Sequence, residues 1–144
     1  RDIDLLKRAD KAEVGITITT IDDEAARRVE RGAPSPRRRL DAVRRLVSEG
    51  VNTYVLIGPV LPTVTDRDLG SFMDALARTG VRRIMTDRLR LRSGMLEALA
   101  EALESEPGGK GFDYLASSAS YLEGLVKEVE TIAREHDLRT ESAF

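Results

Sequence analysis

The sequence predicts an α/β fold in which short parallel β-strands alternate with helices. β-Branched residues alternate with small or hydroxylated ones over residues 14–19, and residues 51–57 are almost continuously apolar, so both segments read as strands. An amphipathic helix separates them, and a third strand is predicted at residues 81–86, after a second helix. Connections this short require right-handed parallel crossovers. Three strands cannot close a barrel, so we expect part of a barrel, or an open sheet, with carboxyl-terminal helices.

Helix-starting residues divide the first third of the chain into elements. A helix is predicted over residues 2–10, ahead of the first strand. Asp22 follows that strand as the predicted N-cap of a short helix, which ends at Gly32. Ser35 and Pro36 then predict the start of a longer amphipathic helix, the serine as N-cap and the proline as the first helical residue.

The second strand and the helix after it carry clear boundary residues. The apolar run 51–57 is typical of a strand buried on both faces, and the Gly58-Pro59 pair is predicted to end it. The next helix is predicted to begin at Thr65, with Asp68 at the capping-box position. Asp66 is interpreted as an acid of the first helical turn, which the helix dipole favours, rather than as a catalytic carboxylate.

The carboxyl-terminal third is predicted to be helical. A helix is expected from about residue 94 to 105, followed by a glycine-rich linker at 107–112. A long apolar stripe then predicts one helix from residue 113 to about 136. We therefore expect residues 1–106 to form the barrel-like unit and residues 113–144 to pack on the same domain.

Composition excludes several kinds of chemistry. The chain has 144 residues, no cysteine and a single histidine, His136. Disulfides, cysteine nucleophiles and iron-sulfur ligation by this chain are therefore excluded, and no Ser-His-Asp set can be assembled. No apolar run approaches the roughly 20 residues that a membrane span needs, and no signal peptide opens the chain. We therefore expect no membrane partner and a cytoplasmic location.

Charge is distributed unevenly along the chain. Residues 27–92 contain 15 basic and 7 acidic side chains, whereas residues 93–144 contain 4 and 11, and 19 of the 23 basic residues are arginine. Arginine is suited to paired contacts with phosphate and carboxylate. One interpretation is an ordinary solvated set of helix faces. The other is a basic surface, formed by the arginine-rich region 27–92, that binds nucleic acid.

Polar and turn residues follow the predicted strands, at the edge where parallel sheets bind ligands. Thr19 and Thr20 place hydroxyls at the end of the first strand, although threonine is also an ordinary strand residue. Arg39 lies one turn into the helix that begins at Pro36, where it either reaches back to a carboxylate or faces solvent like its neighbour Arg38. Gly58-Pro59 either only shapes the turn after the second strand or also contacts a ligand.

Three motifs in this order resemble a known family. They are Ile16-Thr17-Ile18-Thr19-Thr20, then Glu30-Arg31-Gly32-Ala33-Pro34-Ser35-Pro36 with Arg39-Leu40, then Gly58-Pro59-Val60-Leu61-Pro62 with Asp66. Over residues 2–91 the chain resembles the second half of a radical S-adenosylmethionine (radical SAM) barrel of the spore photoproduct lyase-like family. The resemblance implies a partial TIM-type barrel.

The resemblance also implies cofactors that this chain cannot hold alone. The family binds S-adenosylmethionine beside a four-iron four-sulfur cluster, which is held by three cysteines of a CxxxCxxC loop that is absent here. We therefore expect a fragment without the first strands, although a different α/β protein is the alternative. By the resemblance, the full-length protein is a lyase-like enzyme whose 5′-deoxyadenosyl radical abstracts hydrogen from a substrate, with nucleic-acid repair as one use. This piece alone is expected to be inactive.

Site residues are implied by the same resemblance. In radical SAM enzymes the end of this strand supplies a hydroxyl to the ribose of S-adenosylmethionine, and in related enzymes an arginine of the region around Arg39 pairs with its carboxylate. The turn after the second strand and the end of the third lie beside the adenine. The candidate cofactor-binding residues are Thr19, Thr20, Arg39, Pro59, Val60 and Arg88.

Two other functions remain open from the sequence. One is a non-catalytic nucleic-acid-binding module that uses the arginines of region 27–92, and the other is an unrelated α/β-barrel enzyme acting on a phosphorylated small molecule. A partial sheet would also leave a strand edge bare, so we expect the fragment to self-associate.

Overall fold

The sheet contains four parallel strands in the order β1-β2-β3-β4. A computed structural model describes residues 2–9, 11–90, 94–103 and 112–143. Helices alternate with the strands, so the predicted α/β fold is confirmed and is consistent with a partial TIM-type barrel that has carboxyl-terminal helices. The strands are β1 (Val14–Thr17), β2 (Thr53–Val60), β3 (Arg83–Arg88) and β4 (Arg139–Ser142).

Local capping chemistry starts the second and third helices where the sequence predicts them. Asp22 accepts hydrogen bonds from the backbone N–H groups of Glu24 and Ala25, at 2.8 and 3.1 Å. Ser35 accepts one from the N–H of Arg38, and a proline follows it as the first helical residue. The helices are α1 (Asp2–Arg8), α2 (Asp23–Val29), α3 (Pro36–Ser48), α4 (Leu69–Ala77), α5 (Met95–Leu103), α6 (Phe112–Ser117) and α7 (Ala119–Glu135).

Strand β2 runs further than predicted. Gly58-Pro59 does not end it, because Val60 still pairs with Arg88 after a register shift that begins at Ile57. Such an irregularity lets a ladder continue past a proline, which has no N–H to donate. The Gly58-Pro59 peptide bond is cis. Strand β3 likewise ends two residues beyond the predicted Thr86.

Helix α4 begins four residues later than predicted, because Thr65 has a different role. Its hydroxyl accepts a hydrogen bond from the N–H of Leu61 at 2.9 Å, within the turn after β2. Asp68 instead caps the helix by accepting from the N–H of Ser71 at 3.1 Å. Asp66 therefore lies in the loop before α4, and its interpretation as a first-turn helix acid is wrong.

The single carboxyl-terminal helix predicted from residue 113 is two helices, and a strand follows them. Ser118 interrupts the helix and caps α7, because its side chain accepts from the N–H of Tyr121 at 3.3 Å. The tail then forms β4 beside β3, which the sequence analysis missed because its four residues are polar and mostly exposed. Residues 104–105 of the predicted fifth helix and 107–111 of the predicted linker lie outside the described residues.

The main core lies on one face of the sheet. Val55 and Ile57 of β2 are fully buried, whereas Tyr54 and Leu56 between them are only half-buried, so the prediction that both faces are buried is wrong. Helices α3, α4 and α7 supply most of the other residues of this core, and β3 supplies Ile84. A second cluster joins residues of α5, α6 and α7 to one residue of α2 and to three that follow strand ends. Its members are Ala25, Leu61, Val64, Leu89, Leu103, Phe112, Ala116 and Leu122.

Candidate functional site

The carboxyl ends of β1, β2 and β3 meet at one edge of the sheet. Thr17 pairs with Leu56, and Val60 pairs with Arg88, so the three strand ends are neighbours. This is the edge at which parallel α/β sheets bind ligands. All the predicted site residues lie at or just beyond these ends, except Arg39, which reaches β1 from α3.

The two threonines after β1 are buried and have protein partners. Thr19 is 2% exposed, and its hydroxyl donates to Glu30 Oε1 at 3.1 Å. Thr20 is 4% exposed, and its hydroxyl accepts from the N–H of Asp22 at 3.1 Å. A hydroxyl has one donor and two lone pairs, so Thr19 retains acceptor capacity and Thr20 retains a donor.

Arg39 is held against the end of β1. Its Nε donates to the carbonyl of Pro34 and one terminal nitrogen donates to the carbonyl of Thr17, both at 2.9 Å. Its other terminal nitrogen pairs with Glu30 Oε2. The side chain is 13% exposed, so the interpretation of Arg39 as a solvent-facing arginine like Arg38 is wrong.

Glu30 connects these groups, and the sequence analysis gave it no role. One carboxylate oxygen accepts from Thr19 and the other pairs with Arg39. We call this set, with the carbonyls of Thr17 and Pro34, the Glu30 network. The only sequence signal for it was the position of Glu30 inside the motif that precedes α3, because nothing local shows which partner its carboxylate meets.

The turn at the end of β2 offers less side-chain surface than predicted. Val60 is 1% exposed and belongs to the main core, so only its backbone is available to a ligand. Pro59 is half-buried. At Gly58 a β-carbon would lie 3.1 Å from Cβ of Asp87, so glycine permits β2 and β3 to approach closely here.

Arg88 lies in an open environment at the end of β3. Its side chain is 58% exposed, and it forms an ion pair with Glu123 on α7, at 3.9 Å. It lines a cavity of about 400 Å³ together with Asp87, Glu123, Lys127 and other residues of α7 and β4. This cavity lies at the same edge as the Glu30 network, but at the β3 end.

A second cavity, of about 480 Å³, lies between the ends of β1 and β2. Thr20, Thr65 and Phe72 contribute to its lining, together with an ion pair between Asp22 and Arg67 at 2.7 Å. The pKa of Asp22 is lowered, mainly because its carboxylate accepts a hydrogen bond from the backbone of the α2 first turn. The carboxylate therefore stays ionised and holds the two loops together.

The loop between β2 and α4 is tied to helix α7 by one hydrogen bond. The hydroxyl of Tyr121 donates to Asp66 Oδ2 at 2.9 Å. Burial, and then the adjacent Asp66 carboxylate, raise the pKa of Tyr121 to about 12. The phenol is therefore a persistent donor, which fixes a loop that borders the strand ends.

The chain has no cysteine with which to ligate an iron-sulfur cluster by itself. Among the described residues, no three His, Asp or Glu side chains are grouped so that they could hold a metal ion. The residues present therefore do not fit an iron-sulfur cluster. In the same part of the chain, no helix is long and apolar enough to cross a membrane.

Comparison with known families matches residues 1–76 to the radical SAM superfamily. The chain therefore belongs to the radical SAM superfamily, whose members in general use S-adenosylmethionine with a four-iron four-sulfur cluster. The matched segment contains β1, β2 and the whole Glu30 network. The narrower resemblance to spore photoproduct lyase stays a prediction.

Three curated relatives are similar to parts of the chain. The uncharacterized protein MJ0683 of Methanocaldococcus jannaschii is 35% identical over 66 residues, which are 46% of this chain and 26% of that protein. ORF301 of Acidianus two-tailed virus is 28% identical over 109 residues, 72% of this chain and 36% of its own length. Rv2578c of Mycobacterium tuberculosis is 30% identical over 97 residues, which are 64% of this chain and 28% of that protein.

All three relatives are described as uncharacterized, so their names add no function. The chain spans between 26% and 36% of their lengths. No solved structure matches the chain significantly.

Proposed function

We propose that this chain is the S-adenosylmethionine-binding portion of a radical SAM enzyme similar to spore photoproduct lyase, with the cluster held by residues outside this chain. The observation that carries the proposal is Arg39. Three of its five N–H groups are bonded within the protein, to the carbonyls of Thr17 and Pro34 and to Glu30, which leaves two to meet a carboxylate. A guanidinium held in this way is suited to the carboxylate of S-adenosylmethionine.

The threonines complement each other in this proposal. Thr19 offers a hydroxyl oxygen as acceptor, because its hydrogen is donated to Glu30, and Thr20 offers a hydroxyl hydrogen, because it accepts within the described part of the protein without donating. A ribose diol presents one donor and one acceptor to such a pair. Pro59, the backbone of Val60 and the side chain of Arg88 would then lie on the adenine side.

Radical hydrogen abstraction is the chemistry that the cofactors supply when bound, whereas these residues bind and orient. A nucleic-acid substrate, as in lesion repair, is favoured by the exposed arginines of α3. Arg37, Arg38 and Arg45 are solvent-exposed on that helix. A non-catalytic nucleic-acid-binding module is the second candidate function, and its affinity would fall steeply with salt and need no S-adenosylmethionine.

Titration of S-adenosylmethionine into cluster-loaded, full-length protein tests the proposal. Arg39→Ala should lose a charge-assisted contact of roughly 2–3 kcal/mol, about 30- to 150-fold in affinity. Arg37→Ala, which alters an exposed arginine of the same helix, should change affinity little. Circular dichroism must show that both variants keep their helices. Small, equal effects at both positions would overturn the proposed role of Arg39.

A further inference from the structure

The carboxylate of Glu30 is fully engaged within the protein. Its side chain is 22% exposed, and both carboxylate oxygens are used, one by Thr19 and one by Arg39. The acids at the opposite, amino-terminal end of α2 are engaged elsewhere: Glu24 pairs with Arg28 at 3.0 Å, and Asp22 caps α2. Glu30 is therefore the carboxylate that balances the charge of Arg39.

Arg39 would be less firmly held without this partner. An arginine side chain has several rotatable bonds, and immobilising it costs conformational entropy. The two backbone carbonyls hold Nε and one terminal nitrogen, while Glu30 alone holds the other terminal nitrogen. The carboxylate thus determines how the guanidinium plane is presented at the sheet edge.

Thr19 depends on the same carboxylate. Its hydroxyl hydrogen is committed to Glu30 Oε1 at 3.1 Å, so the direction of its free lone pairs follows from the position of Glu30. One side chain thereby sets the orientation of two groups that come from different elements, the end of β1 and helix α3.

We propose that Glu30 is a positioning residue for S-adenosylmethionine, which acts through Arg39 and Thr19 without touching the cofactor. This inference rests on the proposed function. It distinguishes Glu30 from a merely structural acid because it requires energetic coupling between Glu30 and Arg39 in cofactor binding. A structural acid would change stability without such coupling.

The first test is a double-mutant cycle in the full-length protein, read by titration of S-adenosylmethionine. Glu30→Ala should weaken binding about tenfold, in the range of coupling within one polar network. In an Arg39→Ala background, the same substitution should have a clearly smaller effect, limited to what Glu30 does through Thr19. Glu30→Gln, which keeps an acceptor for Thr19, should lose less. The matched control is Glu24→Gln, an exposed acid of α2, and should leave binding unchanged.

The second test does not depend on the cofactor. In a nitrogen-edited NMR spectrum, the N–H signal of the Arg39 terminal nitrogen that pairs with Glu30, assigned by its absence in Arg39→Ala, should be sharp and slowly exchanging. It should broaden or vanish in Glu30→Ala and persist in Glu24→Gln. An unchanged signal would overturn the positioning role.

The two experiments separate the inference from the function on which it rests. If Arg39→Ala keeps full affinity, the proposed function of Arg39 fails, whatever the NMR signal shows. If Arg39→Ala loses affinity but the effects of Glu30→Ala and Arg39→Ala add, the function stands and Glu30 is not a positioning residue. If the affinity losses of Glu30→Ala and Arg39→Ala are not additive and the NMR signal is lost in Glu30→Ala, both the proposed function and the positioning role of Glu30 are supported.

Discussion

Two arginines at the same sheet edge differ in how they are held. Arg39 at the end of β1 is 13% exposed and bonded to three partners, whereas Arg88 at the end of β3 is 58% exposed with a loose ion pair at 3.9 Å. A side chain that is already ordered loses little further entropy when it binds a ligand. The β1 end is therefore pre-organised, and changes there should affect stability and binding together.

The strongest test of this contrast is Arg39→Ala. Removing the guanidinium leaves the partly buried Glu30 carboxylate without its charge partner, and we expect a loss of about 2–3 kcal/mol in the free energy of unfolding, below the range for fully buried pairs. Urea denaturation of wild type and variant measures it. Arg37→Ala should stay within about 0.5 kcal/mol, and a similarly small loss at Arg39 would remove the contrast between the two strand ends.

The next largest loss of stability is expected at the hydrogen bond that ties the loop after β2 to α7. Tyr121→Phe removes the donor to Asp66 and should cost about 1–2 kcal/mol, because the carboxylate loses its only hydrogen-bond donor among the described residues. The ring remains and packing is conserved, so chemical denaturation isolates the hydroxyl. A cost near zero would show that water replaces it.

The same hydroxyl predicts a pH dependence. The pKa of Tyr121 is about 12 in the fold and 10.0 ordinarily, so between these values the unfolded chain loses the proton first. Stability should therefore fall as the pH rises through this window. Tyr121→Phe should lack this part of the decline, and the other two tyrosines, present in both proteins, provide the internal control. Parallel curves for the two proteins would contradict the assignment.

The N-cap of α2, Asp22, should contribute less to the free energy of unfolding. Asp22→Ala should cost about 1 kcal/mol, because two N–H groups of α2 lose their acceptor. Asp22→Asn retains a capping oxygen and should recover most of it. Since the pKa of Asp22 is lowered in the fold, its contribution is present above the ordinary value of 3.8 and is lost as the pH falls below it. Thermal unfolding at neutral and acidic pH checks both.

The smallest effect on stability is expected at Arg88, at the exposed end of β3. Arg88→Ala should change the free energy of unfolding by less than about 0.5 kcal/mol, because exposed ion pairs contribute little. Its effect should appear only in S-adenosylmethionine affinity. A stability loss of 1 kcal/mol or more would mean that Arg88 is held more firmly than its 58% exposure indicates.

The sequence by itself determined the elements whose causes are local. Asp22 and Ser35 cap helices as predicted, because an N-cap bonds to N–H groups only two or three residues away. The placement of the candidate residues at strand ends also followed from sequence, since parallel strands align their carboxyl ends. The self-association expected from bare sheet edges stays a prediction, with β1 and β4 at the edges of the described sheet.

Only the tertiary structure decided the pairings between distant segments. Strand β4 has no strong strand pattern of its own, and it forms because the end of α7 delivers residue 139 beside Arg83, 56 positions earlier in the chain. The Glu30 network likewise joins Arg39 to Thr17 across 22 residues. Such contacts depend on where the core places each backbone, which local propensity does not encode.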